Sequence, residues 1–123
     1  MINHKSGLAV LLIGLILVVL SGCVTVSKAV YKKELSLDPR LGQANASYKK
    51  ALHWIDDAQR EMAPYKAHES YITAGSYLSD TIFKLKRLEA DHNFDVKEYI
   101  DYCEKVKGEI HAQEGIQRRK MMR

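Results

Sequence analysis

From Leu41 to Met62 the apolar residues fall at steps of three and four: Leu41, Ala44, Tyr48, Ala51, Ile55, Ala58 and Met62. That spacing holds them on one stripe of an α-helix, with large residues and alanine alternating as in a heptad seam. Alanine at every seventh position lets a second helix approach closely. The seam is punctuated at both ends. Asp38-Pro39 supplies an N-cap followed by proline at the first helical position. Pro64 has no donor for the helix ladder and disfavours helix at Ala63, so the segment stops there.

Two further helices come after it. One begins near Pro64 and runs to about Ala90, with Tyr71, Ala74, Leu78, Ile82, Leu85 and Leu88 on its apolar stripe. Gly75 and Thr81 lower the local propensity without breaking that pattern. Asp91-His92-Asn93-Phe94 is short enough to force an antiparallel neighbour. The last helix has Asp95 as its expected cap, Glu98 to complete a capping box and Phe94 to staple onto Tyr99. Val96, Tyr99, Cys103, Val106 and Ile110 form its face, and the pattern weakens after Gly115, so residues 117–123 should fray. No segment alternates with period two. With 123 residues, two prolines and seven glycines, the economical fold is all-α. It is an antiparallel three-helix bundle in up-down-up order, each helix about 30–40 Å long. A bundle this slim presents faces more readily than deep pockets.

The net charge of +4 hides a strong asymmetry. After Lys5 no charged residue occurs until Lys28, and the run from Gly7 to Leu20 has the h-region layout of a secretory signal peptide. Retention as a spanning helix needs about 20 apolar residues, reached only by continuing through Val26. Lys28, Lys32 and Lys33 oppose that reading, because an N-in helix would place them on the far side of the membrane.

The run closes on Leu20-Ser21-Gly22-Cys23, which resembles the lipobox of bacterial lipoproteins. Small residues before the cysteine admit the signal peptidase, and the thiol accepts the diacylglyceryl group. The resemblance implies a cleaved signal peptide over 1–22 and an acylated Cys23, which leaves a short tether over 23–37 and the helical bundle over 38–123 with its basic C-terminal tail. Two or more acyl chains would hold the chain to the membrane without a spanning helix. Val24 rather than Asp after the cysteine implies the outer membrane in the sorting pattern of enteric-type bacteria, with the domain facing the periplasm. Cleavage removes Lys5 and lowers the net charge to +3, and it leaves Cys103 as the remaining thiol, expected buried. The tether's lysines would sit near anionic lipid, or in a solvated linker with some helix around Ala29 to Glu34.

Catalytic templates are missing from the sequence: it has no Gly-rich phosphate loop, HExxH, GxSxG or CxxC. The expectation is therefore a protein without enzymatic activity and without a cofactor. His53, Asp57 and Glu61 share a helical row, and His111 with Glu114 another, but a metal site needs three or four convergent ligands. Tyr48, Tyr71 and Tyr99 fit core stripes. Trp54, Tyr65, Tyr77 and Tyr102 lie beside them, where aromatic residues either border a slim core or serve an interface. Arg118, Arg119, Lys120 and Arg123 make the C-terminus a candidate site for an anionic partner, or simply complement a helix dipole. Secretion removes nucleic acid from the candidates and leaves the membrane and another envelope protein.

Ala51, Ile55, Ala58, Ala63-Pro64-Tyr65 and Ala74 through Leu78 are similar to small helical lipoproteins with TPR-like paired helices. Type II secretion pilotins share size and location but carry a disulfide pair that is missing here. Exclusion and immunity lipoproteins of mobile elements share size and location alone. The leading expectation is a helical adaptor or assembly factor, and the alternative is an inhibitor of an incoming element or toxin.

Overall fold

The computed structural model of the protein describes residues 29–122. The expected signal peptide over 1–22, the expected acylation site Cys23, the first part of the expected tether and Arg123 lie outside the described residues. Three α-helices make up most of the described chain, and no strand occurs among the described residues. They are α1 (Gly42–Arg60), α2 (Pro64–His92) and α3 (Lys97–Met121). A 3-10 turn, Pro39–Leu41, leads into α1, and Asp38 caps it as expected, its carboxylate accepting the Arg40 N–H at 2.9 Å. The chain divides into a segment Met1–Val30 and a compact unit Tyr31–Arg123.

Within that unit α2 is the central helix, and α1 and α3 each pack antiparallel against it. The expected stripes become the core. Leu41, Ala44, Tyr48, Ala51, Ile55 and Ala58 of α1 meet Tyr71, Ala74, Leu78, Ile82 and Leu85 of α2. Val96, Cys103, Val106 and Ile110 complete the cluster from the third helix and its cap. On α2 the buried small residues Ala67, Ala74 and Thr81 repeat every seventh position, as Ala44, Ala51 and Ala58 do on α1. Both helices thus offer a small-residue track, so close approach does not force large side chains off their rotamers.

Polar ties pin the register between helices. Ser70 donates to Asp57 at 2.7 Å and Ser47 to Asp80 at 2.5 Å, joining α1 to α2. His68 and Glu114 meet at 2.7 Å across α2 and α3, where both side chains are largely shielded. The α2–α3 turn is made by Asn93 with φ 50°, a left-handed conformation that Asn tolerates and that closes a helix C-terminus. Arg40 lies over the Phe94 ring at 3.8 Å and covers that turn.

Four sequence expectations need correction. Met62 is not part of the seam: α1 ends at Arg60, Glu61 is extended, and Met62 is 95 % exposed. The helix therefore stops three residues before the expected end at Ala63. The third helix starts at Lys97 with Val96 at its cap, so Asp95 stands one residue before the cap, from where its carboxylate still accepts the Lys97 N–H at 3.2 Å. Helix also persists through the basic residues to Met121, because Arg118, Arg119 and Lys120 favour a helix C-terminus. Finally, residues 31–37 are neither helix nor free linker.

Candidate functional site

Residues 31–37 form a strap that runs between α1 and α3, antiparallel to both. Leu35 is only 6 % exposed and joins the main core. The backbone of Lys32 is held by two tyrosines. Its N–H donates to Tyr102 Oη at 2.9 Å, and its carbonyl accepts from Tyr48 Oη. The two hydroxyls are themselves 3.2 Å apart. Because the Tyr48 proton is committed to the Lys32 carbonyl, Tyr102 is the donor between them, which closes a ring of three hydrogen bonds. Burial, then the Tyr102 hydroxyl, pushes the Tyr48 phenol well above its ordinary value. Further along, Tyr31 donates to Glu109 at 2.9 Å, Asn45 accepts the Leu35 N–H at 2.8 Å, and Glu34 pairs with Lys49 at 2.9 Å. The strap thus fills the seam left between α1 and α3. Tyr102 and Tyr48 both hold the strap. Cys103, next to Tyr102, is fully buried, and burial followed by the charge of Glu104 pushes its thiol up to about 12.

On the other side of α1, an open groove of about 680 Å³ runs between the start of α1 and the end of α2. Arg40, Gln43, Asp80, Phe83, Lys84 and Arg87 line it, with Leu88 and Asp91. Phe83 is 59 % exposed, and Arg87 lies 5.9 Å from its ring centre. The charges alternate and are internally matched: Lys84 meets Asp80 at 2.8 Å and Arg87 meets Asp91 at 3.6 Å. Lys84 and the Ser47 hydroxyl hold the Asp80 carboxyl below its usual range, and Arg40 does the same for Asp38. An apolar ring among alternating charges suits a polypeptide segment better than a small anion or metal.

No family model, curated protein or solved structure matches the chain. Its function must therefore be read from its own surfaces.

The basic cluster forms the second candidate surface. Arg118, Arg119 and Lys120 are exposed on the last turns of α3, and Arg123 lies outside the described residues. Arg118 reaches Glu114 at 3.9 Å, but that carboxylate is already engaged by His68. The α1–α2 turn lies at the same end of the bundle, where Tyr65 is 59 % exposed.

The His, Asp and Glu rows noted in the sequence are engaged in other contacts. His53 packs edge-on against Trp54 at 5.6 Å, Asp57 takes the Ser70 hydroxyl, and Glu61 accepts the Ala63 N–H beyond the helix. Among the described residues no group of three His, Cys, Asp or Glu is placed to hold a metal ion. The groove escaped sequence reasoning because Phe83 and Arg87 lie on one helix and Arg40 on another segment, with no shared motif. Phe83, off the apolar stripe and followed by Lys84, Lys86 and Arg87, was its only local signal.

Proposed function

We propose that the protein is a lipoprotein of the outer membrane, acylated at Cys23 and facing the periplasm. Its bundle acts as a helical adaptor or assembly factor that binds another envelope protein. The single observation that carries the adaptor reading is the groove between α1 and α2, where exposed Phe83 sits among matched charges. A partner segment placing an apolar residue on Phe83 could exchange ion pairs with Lys84, Arg87, Asp80 and Asp91 without leaving any charge unpaired. The rigid support comes from the core beneath, which includes Leu85 and Leu78. The membrane reading rests on the sequence motif Leu20-Ser21-Gly22-Cys23. Among the described residues no helix is long and apolar enough to cross a membrane.

The test is site-specific photo-crosslinking in cells, with the photoreactive residue at Phe83 or at Lys105 on the exposed face of α3. The adaptor reading expects one discrete adduct from position 83, lost when Lys84→Glu and Arg87→Glu are combined. No adduct at 83, or equal adducts from both positions, contradicts it.

A further inference from the structure

The strap gives the bundle a direction. Going backward along the chain, it leaves Asp38 at the α2–α3 turn end, passes Asn45, then Tyr48 and Tyr102, and departs at Tyr31 beside Glu109. Its direction at that point is toward the end of the bundle where α3 finishes. Met122 lies thirteen residues beyond Glu109, about 20 Å along the helix axis. Tyr31 lies eight positions after Cys23, and an extended chain over eight such steps spans about 26–29 Å. The tether is thus long enough to bring an acyl group level with the last turn of α3.

What is exposed at that end matches a bilayer surface. Arg118, Arg119 and Lys120 point their charges into solvent from α3. Beside them are large apolar or amphipathic side chains with little cover: Met62 at 95 % exposure, Tyr65 at 59 % and Met122 at 81 %. Cations with aromatic and flexible apolar side chains are the composition that settles at the headgroup boundary. Carboxylates also stand at this end, Asp56, Asp57, Glu61, Glu69 and Glu114, each paired or hydrogen-bonded within the fold, but none lies beyond Glu114, where Arg118, Arg119 and Lys120 stand together. At the opposite end Leu37 and Phe83 are exposed too, but the cations there are matched by neighbouring carboxylates. There Arg40 is paired with Asp38, Arg87 faces Asp91, and Asp95 and Glu98 are exposed.

We propose that the α1–α2 turn and the last turn of α3 form a membrane-docking face for anionic phospholipid headgroups. The juxtaposition that carries it is the strap's departure toward an end bearing three exposed cations and three exposed apolar or aromatic side chains. This deepens the lipid-anchor reading and rests on it. Docking stands the bundle upright on the bilayer that holds Cys23, with the α1–α2 groove at the far end of the bundle. Arg118, Arg119 and Lys120 supply the charge attraction, while Met62, Tyr65 and Met122 enter the headgroup boundary.

The experiment anchors the protein chemically, so that biological acylation is not in question. Residues 23–123 are coupled through the Cys23 thiol to a maleimide lipid in vesicles. Every described core residue lies in the unit that begins at Tyr31, so this piece keeps its fold. Cys103 is fully buried and stays uncoupled. An environment-sensitive fluorescent amino acid replaces Met122 or, at the opposite end, Ala90. On phosphatidylglycerol vesicles, nitroxide lipids should quench position 122 and not 90. Neutral phosphatidylcholine vesicles should give no quenching difference. Raising salt from about 0.1 M to about 1 M shortens the Debye length to about 3 Å and should release the face. Charge reversal by Arg118→Glu, Arg119→Glu and Lys120→Glu together should weaken docking about 100-fold or more. Unchanged helicity by circular dichroism confirms that this variant is folded. Equal quenching at 122 and 90, or docking that survives charge reversal, overturns the proposal. Failure of Cys23 acylation in cells would be seen instead by fatty-acid labelling, and would leave this readout untouched.

Discussion

Leu35 and Leu37 sit two residues apart in a segment that the sequence alone reads as a tether. Leu35 is 6 % exposed and part of the core cluster, whereas Leu37 is 88 % exposed. Replacing Leu35 by alanine removes a buried isobutyl group from between α1 and α3. Leu→Ala changes in cores cost about 2–5 kcal/mol, and the low end applies where neighbours can collapse into the space. A strap lying over the core is free to settle inward, which places the expected cost at about 2–3 kcal/mol. For a domain of this size each kcal/mol moves the melting temperature by several degrees, so the midpoint should fall by about 10–15 °C. Leu37→Ala should move it by a degree or two at most. The assay is thermal and urea unfolding of residues 24–123 followed by circular dichroism. If both variants melt with the wild type, the strap is not packed and the hydrogen-bond ring around Lys32 does not exist in solution.

Three other outcomes are expected from the same structure. Ala51→Leu and Ala58→Leu should overpack the α1–α2 contact and cost about 1–3 kcal/mol in urea unfolding, while Ala112→Leu, on the exposed side of α3, should be near neutral. Cys103 should react with a thiol reagent only through unfolding. Because its folded pKa is raised to about 12, its stabilising effect is present below the unfolded thiol pKa and is lost as pH rises beyond it. Between pH 7.5 and 9.5 this amounts to about 1–2 kcal/mol, and Cys103→Ala should flatten that part of the stability profile. Asp80 behaves in the opposite sense: its folded pKa is lowered, chiefly by Lys84 and then by Ser47, so stability is present above about pH 4 and declines as pH falls through the lowered value. Asp80→Asn should reduce the acid-side slope slightly, as expected for a half-exposed pair, and an unchanged slope would count against that ion pair.

The parts of the fold that rest on periodicity were legible in the sequence. Leu41 through Ala58, Tyr71 through Leu85 and Val96 through Ile110 needed only helical spacing to be assigned to the core. Asp38, Pro39 and Pro64 marked ends because their chemistry is local. The strap was not legible, since its attachments run from backbone groups of Lys32 and Leu35 to side chains on two distant helices. Such bonds have no period. Tyr102 lay beside the stripe for the same reason: its hydroxyl serves a peptide N–H some seventy residues earlier in the chain. The end of α3 was misjudged because the apolar stripe fades after Ile110, yet Gly115 is buried against the bundle and the arginines beyond it favour the helix terminus. Of the candidate sites, the basic cluster was visible as composition. The groove around Phe83 and the orientation of the basic end are products of tertiary packing and of the strap's direction.

The central claim is that the chain is held to the membrane by a lipid on Cys23. Metabolic labelling with an alkyne palmitate analogue tests it most directly, comparing the wild type with Cys23→Ser in the same cells. The wild type should be labelled and migrate at the size of residues 23–123. Cys23→Ser should be unlabelled and keep residues 1–22. Equal labelling of the two proteins, or no label on either, would contradict the lipoprotein account.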